Sequence, residues 1–139
     1  MTALRIAING FGRIGRCILR ALVESGRQRE FELVAVNERA PAESIEHLVR
    51  FDSSHGRFPG TLERVGEYLV VNGQRVRLLS QPDPALLPWR ELAVDVVLEC
   101  TGTLQNAAQL DRHISAGAKK VLLSQPGGHD LDYTCVYGT

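Results

Sequence analysis

A chain of 139 residues, 44% hydrophobic and 23% charged, is long enough for one domain with a proper core. Its 16 Lys and Arg balance its 16 Asp and Glu, so the basic stripe of a nucleic-acid module is missing, although a single anion could still be held by backbone groups. The apolar runs fall short of the roughly 18–20 residues of a membrane span, and the three cysteines form no CxxC or Cys/His cluster, which excludes a disulfide framework and a zinc or other metal site.

Residues 3–9, "ALRIAIN", form a short apolar run that enters a glycine-rich turn, as a buried strand does. From Arg13 the pattern turns helical. Ile14, Cys17, Ile18, Ala21 and Leu22 fall on one face, and Arg13, Arg16 and Arg20 share the other as a solvated face. Gly26 stands where a helix stops. "FELVAVN" at 31–37 reads as a second strand, so residues 3–37 have the size of one βαβ unit. Ile45, Leu48 and Val49 predict a second helix, closed by the polar loop "DSSHG".

Residues 61–80 change character. Asn72-Gly73 between alternating runs is the strongest short hairpin signal and predicts a small antiparallel meander. A Pro-rich connection, "QPDPALLPW", leads to the buried strand "VDVVLEC" and a turn at Thr101-Gly102. A helix is expected from Leu104 to Ala116 with Leu104, Ala107, Ala108 and Ile114 inward and Gly117 as its stop. "KKVLLSQ" and "DLDYTCVYGT" supply two more strands. The alternation predicts one α/β domain over residues 1–139, a Rossmann-type, doubly wound and mostly parallel sheet with an antiparallel β-meander insertion.

Within "AINGFGRIGR" the three glycines have separate tasks. Gly10 permits the tight turn out of the strand, Gly12 lets a pyrophosphate approach the backbone, and Gly15 lets the helix pack closely. The N–H groups near Arg13 and Ile14 would then face the phosphates with the helix dipole behind them. Glu38, at the end of the second strand, is placed to take both ribose hydroxyls of an adenosine and to repel a 2′-phosphate, favouring NAD over NADP. Arg39 beside it works against that preference. Thr101-Gly102 closes a parallel strand where such sheets bind ligands, and reads equally as a ligand contact or a plain turn. His55 reads as a loop-ordering histidine and Cys100 as a buried strand-end thiol. His113 is placed on a helix surface and His129 in a loop, with no role.

"AINGFGRIGR", "FDSSHGRFPGT", "LPWRELAVDVVLECTG" and "AGAKKVLLSQPG" occur in order, and with them the chain resembles the N-terminal part of the phosphorylating glyceraldehyde-3-phosphate dehydrogenase family over essentially its whole length. "VNE", "RALVESGR" and "PGGHDLDYTCVYG" look closer to its erythrose-4-phosphate dehydrogenase branch. The resemblance implies NAD as cofactor and, in the complete enzyme, a homotetramer and a sugar-phosphate substrate, with no nucleic acid or membrane partner. A cysteine there attacks the aldehyde, hydride passes to NAD, and a thioester is released, by water in the erythrose branch to give 4-phosphoerythronate for pyridoxal phosphate synthesis. It further implies that Asn9, Gly10, Phe11, Gly12, Arg13, Ile14 and Gly15 form the pyrophosphate turn. Glu38 takes the adenosine ribose, Thr101 and Gly102 lie along the cofactor, and Ser124 approaches its nicotinamide end.

Three departures stand out. Pro82, after Gln81, occupies the place of a family arginine on the adenine side. The family's S-T-G reads Cys100-Thr101-Gly102, with Leu104 where an aromatic residue follows. The signature S-C-T-T-N-C does not occur, so no catalytic residue is assigned. The chain is expected to be a cofactor-binding domain, inactive alone, with exposed apolar surface where the family's C-terminal helix would pack. With no secretory leader in view, its free thiols point to the cytoplasm. The rival readings are the glyceraldehyde branch, a non-catalytic nucleotide-binding module and a methyltransferase. The meander speaks against the last.

Overall fold

The computed structural model describes residues 3–26, 30–51, 60–101, 107–124 and 134–138. Its strands are β1 (Leu4–Asn9), β2 (Phe31–Asn37), β3 (Leu62–Val65), β4 (Tyr68–Val71), β5 (Gln74–Leu79), β6 (Val96–Glu99), β7 (Lys120–Ser124) and β8 (Thr134–Gly138). Its helices are α1 (Arg13–Ser25), α2 (Ala42–Arg50) and α3 (Ala107–Ser115), with a 3-10 turn at Pro84–Leu86. The described strands form one eight-stranded sheet in the order β3-β4-β5-β2-β1-β6-β7-β8. From β5 to β7 every pairing is parallel. The pairs β3–β4, β4–β5 and β7–β8 are antiparallel.

Buried on both faces, the central strands are apolar runs rather than alternating ones. Ile6 and Ile8 of β1 enter one core with Leu19 of α1, Ile45 and Val49 of α2, and Leu69, Val71 and Val76 of the meander. Ala7 points the other way, into a second core with Trp89, Val94, Val97 and Ala116. A register shift between Ile6 and Ala7 against β2 places Val34 and Ala35 together in that second core. The chain winds from β1 to β2 on one side and returns to β6 on the other. A crevice therefore opens between the carboxyl ends of β1 and β6.

The expected strands and the doubly wound sheet are present, with differences in detail. The expected antiparallel meander is present, and the pairing of β5 with β2 carries its hairpins into the main sheet. Asn72 and Gly73 both have positive φ (50° and 81°), as a two-residue hairpin turn requires. The inward face of α1 is rotated from the expected one: Leu19 is buried and Ala21 is exposed. Gly15 presses on the turn after β1, and Leu19, one helical turn further, inherits the inward position. In α2, Ile45 and Val49 are buried but Leu48 is 42% exposed. In α3, Leu110 and His113 are inward, Ile114 is half-buried and Ala108 is exposed. The surface placement of His113 is thus corrected to complete burial. Leu104, His55 and His129 lie outside the described residues, as do the side chains of Ala107 and Cys135. Gly117 ends α3 with φ +120°, and a Cβ there would lie 2.5 Å from the Arg90 backbone N.

Among the described residues a largely apolar groove of about 430 Å³ opens on the α1 face of the sheet, lined by Leu4, Ile6, Ile18, Leu22, Phe31, Val96 and Leu98, with Lys120, Val121 and Leu122 of β7. No helix of the described residues is long and apolar enough to cross a membrane.

Candidate functional site

At the carboxyl ends of β1, β2 and β6 lies a cavity of about 390 Å³, lined by Asn9, Gly10, Gly12, Asn37, Glu38, Arg39, Gln81, Pro82, Cys100 and Thr101 among others. The turn after β1 shapes one wall. Gly10 has φ +92°, and a Cβ on it would fall 2.6 Å from Thr101 Cγ2 and 2.8 Å from the Thr101 backbone. Gly15 is as tight: its Cβ would fall 2.8 Å from the Gly10 carbonyl oxygen and 3.2 Å from Ile8 Cγ2. Gly12 is the opposite case. A Cβ there meets nothing within 4 Å, so its Cα faces open cavity.

The start of α1 suits an anion. Gly12 is its N-cap, no side chain caps the helix, and no acid stands in its first turn. Arg13 and Arg16 stand there instead, an arrangement the helix dipole disfavours unless negative charge comes from outside. By contrast α2 carries Glu43 in its first turn and His47 and Arg50 in its last.

Glu38 binds the turn from the far side. Its Oε1 accepts from the Phe11 N–H at 2.8 Å and its Oε2 from the Ala40 N–H at 3.0 Å. The carboxylate is thus pinned at the rim of the cavity beside the exposed Arg39.

The floor is a run of buried amides. Asn9 Oδ1 accepts from Asn37 Nδ2 at 2.7 Å, and Asn37 Nδ2 also donates to the Gln81 carbonyl at 2.9 Å. The Gln81 N–H donates to Asn37 Oδ1 at 2.8 Å. Asn9 Nδ2 donates to Glu99 Oε1 at 2.7 Å. His113 Nε2 lies 2.8 Å from the same oxygen, and Trp89 Nε1 donates to His113 Nδ1 at 3.0 Å. Glu99 Oε2 accepts from the N–H of Thr101, at 3.0 Å, and from its hydroxyl. Trp89, Glu99 and His113 are all 0% exposed.

Burial acts to raise the Glu99 carboxyl. Hydrogen bonds from His113, Thr101 and Asn9 outweigh it and hold the group below its ordinary value of 4.5. Next to it the Cys100 thiol is pushed up to about 12, by burial first and by the Glu99 charge second. Buried and beside the Glu99 charge, it is held in the thiol form near neutral pH.

Of the residues expected from sequence, Asn9, Gly10, Gly12, Glu38 and Thr101 meet at one cavity. Phe11 is buried at 3% exposure, with its N–H on Glu38. Gly15 is buried under the turn, Ile14 is half-buried and Arg13 is exposed. Ser124 ends β7, but its side chain and the whole of Gly102 lie outside the described residues. Pro82 does line the cavity.

Sequence reasoning missed Glu99, His113, Trp89 and Asn37. An acid at the end of the apolar run "VDVVLEC", and asparagines closing both "ALRIAIN" and "FELVAVN", were the available signals.

An open glycine facing an uncapped helix start, opposite a fixed carboxylate, fits the pyrophosphate and ribose of a dinucleotide. The family model described as "Glyceraldehyde 3-phosphate dehydrogenase, NAD binding domain" matches residues 4–107, which include β1 to β6 and the cavity just described. The chain belongs to this family of NAD-binding dehydrogenase domains.

Proposed function

We propose that this chain is the NAD-holding unit of a sugar-phosphate aldehyde dehydrogenase, closest to the branch that oxidises erythrose 4-phosphate to 4-phosphoerythronate. The cavity at Gly12 and Glu38 carries this reading. The Arg13 and Ile14 N–H groups and the open Cα of Gly12 would hold the pyrophosphate, within the turn from Asn9 to Gly15. Glu38, oriented by Phe11 and Ala40, would take the ribose hydroxyls and disfavour a 2′-phosphate. Thr101 and Gly102 would lie along the cofactor and Ser124 near its nicotinamide end. Bound NAD supplies the hydride acceptor.

The chain's own part is to bind, orient and exclude water. The signature S-C-T-T-N-C is absent from its sequence and Cys100 is held as a thiol, so it is expected to show no turnover alone. The complete enzyme would be a cytoplasmic homotetramer. "VNE", where the glyceraldehyde enzymes carry Asn-Asp, favours the erythrose branch. An enzyme carrying this domain should prefer erythrose 4-phosphate to glyceraldehyde 3-phosphate in a direct assay.

Calorimetric titration with NAD and NADP tests the cofactor reading. Saturable NAD binding is expected, weaker NADP binding, and a loss of about tenfold in NAD affinity for Glu38→Ala, the worth of a hydrogen bond to a charged group. Equal affinities in both proteins for both dinucleotides would overturn it.

A further inference from the structure

Beneath the cavity surface lies a fully buried network of Trp89, His113 and Glu99. Trp89 has only an N–H to offer, so His113 Nδ1 is the acceptor and the ring proton sits on Nε2. Nε2–H therefore donates to Glu99 Oε1, beside the Asn9 amide, while Oε2 receives both donors of Thr101. One fully buried carboxylate thus joins β1, β6 and α3 through Asn9, Thr101 and His113. A well-packed apolar pair would fill the same space without taking a charge out of water. A satisfied polar network adds one defined geometry, because each donor has a single place to go.

That geometry ends at the cofactor cavity. Asn9 and Thr101 both line it, and Thr101 abuts Gly10 so closely that no Cβ fits between them. A shift of Thr101 therefore moves the first glycine of the turn. We infer that Glu99 and His113 are positioning residues for dinucleotide binding, holding Asn9 and Thr101 in register with the turn at Gly10. The inference rests on the dinucleotide reading of the cavity. Neither residue touches the cavity itself; they act through the two that do.

The test compares NAD affinity in the full chain, measured in the cold where each variant remains folded by circular dichroism. Glu99→Gln puts an N–H where an acceptor is needed, and His113→Leu removes the donor. Each is expected to weaken NAD binding about tenfold, as loss of a hydrogen bond to a charged group does. His113→Gln keeps one donor and one acceptor and is expected to restore affinity to within about threefold of the unaltered protein. A purely structural role would lower the melting temperature and leave the affinity of the folded variants unchanged. That result overturns the inference while the cavity reading stands. Should the unaltered protein bind no NAD, the cavity reading fails and the inference falls with it. If a variant does not fold, the unaltered protein decides. Trp89 is its one tryptophan, so saturating NAD should shift a single indole N–H resonance. An unmoved resonance at saturation would contradict the coupling.

Discussion

Gly10 and Gly12 differ in what stands beside them. At Gly10 the backbone has φ +92° and Thr101 fills the space a Cβ would need. Gly10→Ala should therefore cost more than about 1 kcal/mol in urea unfolding, from backbone strain and the clash together. Gly12→Ala meets no neighbour, and its stability loss should stay within about 1 kcal/mol, the difference between glycine and alanine at an N-cap. Its effect should appear in NAD affinity instead, because the new methyl stands where phosphate must approach. A Gly12→Ala protein that binds NAD as tightly as the parent would place the phosphate elsewhere. The tight turn at Gly10 and the close packing at Gly15 were legible in the sequence, because turn glycines next to a strand end have few alternatives. Thr101 as the reason for Gly10 was not, since the two follow different strands, β6 and β1.

At the level of elements, strands were easier to read than helix faces. A run such as "FELVAVN", buried on both faces, needs no phase to be recognised. A helix face must be phased, and a small residue can carry the contact. In α1 Gly15 packs tightly against Ile8 of the sheet yet contributes nothing to a hydrophobic pattern, and Leu19, one turn on, is buried with it. Leu19→Ala should cost about 2–5 kcal/mol, whereas Ala21→Ser, on the exposed face, should stay within about 0.5 kcal/mol. Equal losses in chemical denaturation would restore the phase suggested by the sequence. In α3 the same difficulty hid His113. A histidine between Leu110 and Ala116 reads as solvated until Glu99 and Trp89 are seen to meet it.

Across the whole molecule, the buried carboxylate makes stability depend on acid. The folded-state pKa of Glu99 lies below its ordinary 4.5. Its contribution is therefore fully present above pH 4.5 and is lost as the pH falls below it, through the folded value. Asp95 acts in the same direction below its ordinary 3.8, mainly through the Arg5 N–H, with Lys119 assisting. Urea midpoints should fall steeply on acidification, and Glu99→Gln should give a lower but flatter acid limb. A variant with the parent's acid slope would show that Glu99 does not carry it. Cys100 adds a contribution of the opposite sense, present below pH 9.0 and lost as the pH rises towards about 12.

The turn after β1, Glu38 and Thr101 are proposed to form one NAD site. Mapping backbone amide shifts of the isotope-labelled chain during an NAD titration tests it most directly. The largest shifts are expected at Gly10 to Gly15, Glu38 to Ala40, Gln81, Cys100 and Thr101. Shifts gathered instead along the apolar groove at Leu22, Phe31 and Val96, with the turn silent, would contradict it.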